Sequence, residues 1–267
     1  MGNSLTYNGY DLSAPVYGLV VSRHPWPILA DIHLDVQAVG GGDGAVTNGT
    51  RLKPKYATLE CVVSAADRGA LQTQLEAIAA VLDSRGGTRA LRVDAWPERR
   101  CMARLNGPII IQPNGWNGAS LQLNFIIPSG HMTGFTEVTQ SVTIDETPES
   151  FNVTASGAVA GTATALPTWT VTNTDAATVT SVALSNTTRD ETVTWTGSLV
   201  QDALLRFDSE RHFIEKSTDG GTTWASAMTG RSSGSVFPQL TAGTQNACTI
   251  RGVAGGALNI AYYARYL

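Results

Sequence analysis

The residues that most often carry chemistry are sparse in this chain and poorly spaced for it. Four histidines, His24, His33, His131 and His212, are scattered without metal-ligand spacing, whereas a zinc site draws three or four N, S or O ligands together, commonly from short-range pairs. Three cysteines, Cys61, Cys101 and Cys248, form no Cys-x-x-Cys and are odd in number. They suit neither a redox motif nor a secreted disulfide framework, and read as small buried apolar residues. Nucleophilic catalysis needs a nucleophile, a base and an orienting group that can meet. There is no Gly-x-Ser-x-Gly elbow, and the carboxylate pairs Asp145-Glu146, Asp190-Glu191 and Asp208 with Glu210 fall in turn-like or linker-like sequence. The expected sets of catalytic, cofactor-binding and metal-binding residues are therefore empty, and no enzymatic activity is expected. The glycine run Val39-Gly40-Gly41-Gly42-Asp43-Gly44 lacks the Gly-Lys-Ser/Thr ending and the following helix that a phosphate cradle needs. It reads as a loop or a hairpin arm.

The sharpest local motif is Ser217-Thr218-Asp219-Gly220-Gly221-Thr222-Thr223-Trp224. It matches S-x-D-x-G-x-x-W, the Asp-box of sialidase-like propellers. Its physics is that of a tight turn: the carboxylate accepts from backbone amides, glycine supplies positive φ, and the Trp packs beneath. Propellers repeat it once per blade, and here it stands once, so a stable turn is expected and a glycosidase is the remote alternative. Trp195 and Trp224 are the candidate sugar-stacking residues of a second alternative, a carbohydrate-binding module used in host adhesion. Aromatics in strands more often pack a core.

The elements that would position these residues are mostly strands. Leu5 to Leu12 is a hairpin-like start with Asn8-Gly9 as its turn. From Ile28 to Val36 apolar and polar residues alternate, with Ile28, Ala30, Ile32, Leu34 and Val36 on one face and Asp31, His33 and Asp35 on the other. That period of two predicts a half-buried strand. Residues 38 to 54 are the candidate arm. In Tyr56 to Val63, Ala57, Leu59, Cys61 and Val63 share a face. One helix is predicted over residues 65 to 84, capped by Ser64 with Asp67 three residues on. Its apolar stripe is Leu71, Leu75, Ile78 and Leu82, and Gly86-Gly87 end it. Arg99 to Ile111 and Gly118 to Ile127 read as a hairpin pair. Residues 128 to 150, rich in Thr, Glu, Ser and Pro, read as a boundary. Beyond it, short strands recur at sandwich-like spacing.

Composition agrees. Of 267 residues, 15% are charged and 27 are glycine, against about 25% charge and about 7% Gly in average domains. Such a chain favours turn-rich β structure over a helical bundle or a charged disordered tail. The net charge of -4 leaves no cationic excess for tight nucleic-acid binding. No apolar run approaches the roughly 20 residues of a membrane span. The start Met1-Gly2-Asn3-Ser4-Leu5-Thr6 matches a myristoylation pattern without the polybasic second signal that stable anchoring needs. Neither nucleic-acid specificity nor a membrane role is expected.

The order of parts resembles the distal tail proteins of long-tailed, siphovirus-type bacteriophages. The opening Leu5 to Ser13, then strands, a glycine-rich loop over residues 39 to 50, a strand, one helix and a terminal hairpin are similar to that family's ring-forming domain. Pro167 to Asn173, Leu204 to Asp208, Phe237-Pro238-Gln239-Leu240-Thr241-Ala242-Gly243 with Asn246, and Ile260 to Leu267 resemble its galectin-like sandwich. The family often has Gly-Asp before the strand at Leu204, where Gln201-Asp202 stands here. The resemblance implies an α+β ring-forming domain over residues 1–132, mostly antiparallel with one helix, a linker over 133–150, and an all-β galectin-like sandwich over 151–267. It further implies a structural virion protein at the phage tail tip, synthesised in the host bacterial cytoplasm. Six copies would form a ring joining the tail tube protein to the baseplate or tip hub, with a tail-associated protein and a side fibre or receptor-binding protein as further partners.

Overall fold

The computed structural model describes residues 4–25, 29–38, 45–154 and 159–267. The chain divides into two compact units, Met1–Thr133 with Leu267, and Gly134–Tyr266.

In the first unit, Asn8 and Gly9 both have positive φ (53° and 82°) and close a two-residue turn between β1 (Leu5–Tyr7) and β2 (Tyr10–Asp11). Positive φ at both central residues gives the turn the twist of the flanking strands. β3 (Leu19–Arg23) follows, then β4 (Ile32–Ala38) and β5 (Ala45–Leu52), which among the described residues pair only with each other. β6 (Lys55–Ser64) is the spine of the unit. It buries Ala57, Leu59, Cys61 and Val63, the face expected from the alternation.

After α1 (Arg68–Val81) come β7 (Arg89–Val93), β8 (Arg99–Leu105), β9 (Ile110–Pro113) and β10 (Gly118–Ile127). β10 pairs with β6 along its whole length, from Gly118↔Ser64 to Ile127↔Lys55. Its other edge is shared between β9 and β8. The predicted hairpin is thus two separate strands against one. β1, β2, β7 and β8 form a smaller ladder.

The helix is shorter than its pattern. Asp67, not Ser64, caps it, with an extended backbone that lets its carboxylate accept from Ala70 N at 2.8 Å. Ser64 is held in the β6 ladder opposite Gly118 and cannot cap. Of the stripe, only Ile78 and Leu82 are buried, while Leu71 and Leu75 are half-buried. The glycines of Gly86-Gly87 lie beyond α1, in and after a 3₁₀ turn over Ser84–Gly86.

In the second unit, β11 (Met132–Ile144) and β12 (Glu149–Val153) occupy most of the stretch whose composition reads as a linker. Val138 and Val142 are half-buried against the core, and Ile144 and Val153 are inside it. The intervening Thr and Glu residues lie outward and dilute the apolar signal. Next come β13 (Thr168–Asn173), β14 (Val179–Asn186), β15 (Glu191–Leu199), β16 (Leu204–Asp208), β17 (Phe213–Ser217), β18 (Ala225–Ser226), β19 (Asn246–Arg251) and β20 (Gly256–Tyr266). One sheet runs β18-β17-β16-β13-β20-β11 and the other β12-β19-β14-β15. One core draws on both, with Trp169, Phe207 and Ile260 from the first and Leu184, Val193 and Ile250 from the second. This is a two-sheet sandwich.

Candidate functional site

No group of three or more His, Cys, Asp or Glu side chains converges among the described residues. All three cysteines are free and buried. Burial pushes each thiol up to about 12, so the reactive thiolate is scarce near neutral pH. The glycine run at 39–44, the residues Met1–Asn3 and Ile28 lie outside the described residues.

The Asp-box folds as its residue types dictate. Asp219 accepts from Thr223 N at 2.9 Å and from Thr223 Oγ1 at 2.6 Å, and Ser217 Oγ donates to its Oδ1 at 2.7 Å. Gly221 N donates to Ser217 Oγ at 2.9 Å. Gly220 and Gly221 take φ of 70° and 90°. The Thr223 hydroxyl, then its amide and the Ser217 hydroxyl, hold the Asp219 carboxyl down at about 2. Both oxygens of this carboxylate accept hydrogen bonds inside the turn, so it is committed to structure.

The two candidate sugar-stacking residues part company. Trp195 is only 3% exposed and sits inside the sandwich core, its Nε1 donating to Ala227 O at 3.0 Å. A pyranose needs an open ring face, so Trp195 cannot stack one. Trp224 is half-buried, with Nε1 donating to Gly221 O at 2.9 Å. The Arg206 guanidinium lies 3.9 Å from the Trp224 ring centre, and Arg206 is ion-paired with Glu215 on the next strand. One face of Trp224 is thus covered by a cation–π contact. The structure does not bring the two tryptophans together on an open platform.

What the first unit does expose is apolar surface. β4 keeps its alternation, but Ile32, Leu34 and Val36 are 50%, 54% and 53% exposed, so the predicted half-buried strand is exposed on both faces. Ala30 alone of the described stripe residues is buried. The ribbon is tied at its base, where Lys53 N donates to Asp31 O at 2.7 Å and Lys53 Nζ pairs with Asp31 at 2.7 Å. That ammonium group holds the Asp31 carboxyl below the ordinary range. A two-stranded ribbon without a covering layer is marginal in water.

A second apolar surface runs along α1. Leu71, Leu75 and Ala79 with Ile111 of β9 line a hollow of about 360 Å³. Leu71, Leu75 and Ile111 also line an adjoining one of about 240 Å³ with Trp116. Trp116 is 75% exposed with the Arg68 guanidinium 5.5 Å from its ring. The apolar stripe of the helix pattern includes Leu71 and Leu75 without showing that they line a groove. The available signal was Ile110-Ile111 beside an exposed-type turn. Sequence reasoning also missed Lys55, which is buried on the same face as Ala57 and Leu59 and whose pKa burial pushes down. Its parity in β6 was the clue.

No family model and no curated protein matches the chain. Solved structures do. The SPP1 Dit protein, described as a paradigm of the hub adsorption apparatus in phages infecting Gram-positive bacteria, superposes with a TM-score of 0.76 at 16% identity over 100% of both chains. The chain has the fold of a phage distal tail protein. A chain of the phage P2 baseplate, in its activated conformation with calcium, superposes with a TM-score of 0.51 at 10% identity, covering 99% of this chain and 98% of that one. The one α-helix and the mostly antiparallel strands of the described residues are consistent with that fold.

Proposed function

We propose that this chain is a non-enzymatic structural protein of a siphovirus-type virion. Six copies form a ring at the distal end of the tail tube and join the tube to the baseplate or tip hub. In this reading the first unit builds the ring and the second is its galectin-like sandwich. The observation that carries the proposal is the end-to-end match to the SPP1 Dit fold. The molecule's surfaces suit the role. Part of its apolar exposure lies on a ribbon and a helix groove, and the Asp219 carboxylate is spent on a turn. Large apolar patches on a soluble chain mark places where other proteins sit.

Light scattering and negative-stain imaging of the purified protein test the proposal. Sixfold the 28.2 kDa chain mass and ring-shaped particles are expected, alone or with tube or hub protein added. A strict monomer that also never enters tail particles would overturn it. Fluorogenic glycosides should show no turnover.

A further inference from the structure

We infer that Asn106 and Asn114, at the two ends of β9, are modification sites that react with their own backbone and become aspartate or isoaspartate. The chain holds Asn-Gly steps at Asn8, Asn48, Asn106, Asn114 and Asn117, all in the first unit. The chemistry needs no enzyme and only water as co-reactant. The glycine amide nitrogen gives its proton to solvent and attacks the asparagine Cγ. The N–Cγ bond forms, the Cγ–Nδ2 bond breaks, and ammonia leaves a closed imide ring. Water then opens the ring at either carbonyl, giving aspartate or, with the chain rerouted through the side chain, isoaspartate. Glycine favours closure because it has no Cβ to crowd the attack and its backbone turns freely. The same dipeptide should therefore react wherever the fold leaves it room.

The fold sorts these steps. Asn117 is held on both sides. Its Nδ2 donates to Ala65 O at 2.6 Å, and its own carbonyl accepts from Ala65 N at 2.9 Å. Gly118 is buried in the ladder opposite Ser64. Asn8 is a central residue of a two-residue turn, pinned by the Tyr7↔Tyr10 pair and by its own amide donating to Ala90 O at 2.9 Å. Gly49 lies in the β4–β5 ladder opposite Asp35.

Asn106 and Asn114 differ. Each is exposed and is followed by an exposed glycine outside any strand. Among the described residues, neither side-chain amide makes a hydrogen bond, and neither the Gly107 nor the Gly115 amide donates one. Nothing lies within 4 Å of where a Cβ would stand on either glycine, so the swing that brings nitrogen to Cγ meets no obstacle. Each conversion replaces a neutral amide with a carboxylate, taking the net charge from -4 to about -6 when both have reacted. At Asn114 the new charge falls between Pro113 and Gly115, which line the hollow shared with Arg68 and Trp116. Isoaspartate also lengthens the main chain of that turn.

The full chain tests this independently of ring assembly. It is aged in mildly alkaline buffer, native and in denaturant, and mapped by peptide mass spectrometry with the aspartate and isoaspartate forms separated. In the native chain Asn106 and Asn114 should convert, and Asn117 should lag by about tenfold or more, because hydrogen bonds must open first. In denaturant the steps should converge. The rate should rise with pH, since the attacking nitrogen must lose its proton. Asn114→Gln, whose longer side chain would have to close a larger ring, should slow conversion there and leave Asn106 unchanged. Native conversion of Asn8 or Asn117 as fast as the other two would overturn the inference. So would the same ranking of sites in denaturant, or a native chain left unmodified while the denatured chain converts.

Discussion

At the scale of single residues, the same residue type serves different ends according to what surrounds it. Trp195 and Trp224 are 29 positions apart in the sequence's numbering, yet one fills the sandwich core and the other sits on a turn under Arg206. Trp195→Ala should therefore cost about 3–5 kcal/mol, the range for a large buried aromatic. Trp224→Ala should cost about 1–2 kcal/mol, from partial burial and the lost cation–π contact. Urea unfolding of both variants measures the difference. Asp219 makes a pH prediction. Its carboxyl sits at about 2 in the folded chain, below the roughly 3.9 of an unfolded aspartate. A depressed carboxyl stabilises above the unfolded value and loses that contribution as pH falls through the folded one. The 217–224 turn should hold its structure at pH 5 and loosen between about pH 4 and pH 2, read by NMR at Asp219 and the Thr223 amide. Asp219→Ala should remove that transition.

At the scale of elements, the polar interior of the sandwich is as specific as its apolar one. Asn246 is buried at the start of β19. Its Nδ2 donates to Thr241 O at 3.0 Å, and its Oδ1 accepts from Thr241 N at 2.9 Å and from Asn186 Nδ2 at 3.1 Å. One side chain thus pins the Phe237–Gly243 segment to two strands. Asn246→Ala strands buried donors and acceptors and should cost about 2–4 kcal/mol, visible as a lowered Tm. The ribbon behaves oppositely. Leu34 lies outside any core, so Leu34→Glu should leave the thermal stability of the isolated chain within about 0.5 kcal/mol of wild type. Circular dichroism melting of dilute protein checks this. Helix α1 lies between these cases: Ile78 and Leu82 fix it to its unit, while Leu71 and Leu75 stay available at its surface.

At the scale of the whole molecule, low charge has a physical meaning. Residues 1–150 hold 11 basic and 14 acidic residues, and residues 151–267 hold 7 and 8. Neither part carries the strong single-sign field that steers a protein to nucleic acid or an anionic membrane. A surface thin in charge suits extended contact with other protein. The buried thiols add a prediction for the folded chain. With all three held at about 12 by burial, an Ellman-type reagent should find no reactive thiol in the native chain and three after denaturation. Early labelling of any one would show that its unit opens locally.

The sequence by itself determined the local geometry. Alternation put Ala57, Leu59, Cys61 and Val63 on one face, Asn8-Gly9 made its turn, and the Asp-box residues built the hydrogen bonds their types allow. These depend on neighbours a few positions away, so pattern suffices. The distal tail order of parts was legible for the same reason, as a succession of local elements. Only the tertiary structure decided which faces are covered. Trp195 went inside and Ile32, Leu34 and Val36 stayed outside, although both belong to strands. The Thr-rich stretch from 133 became strand because distant chain lies beside it. Alternation states which side of a strand a residue takes, but the layer that covers that side comes from residues far along the chain.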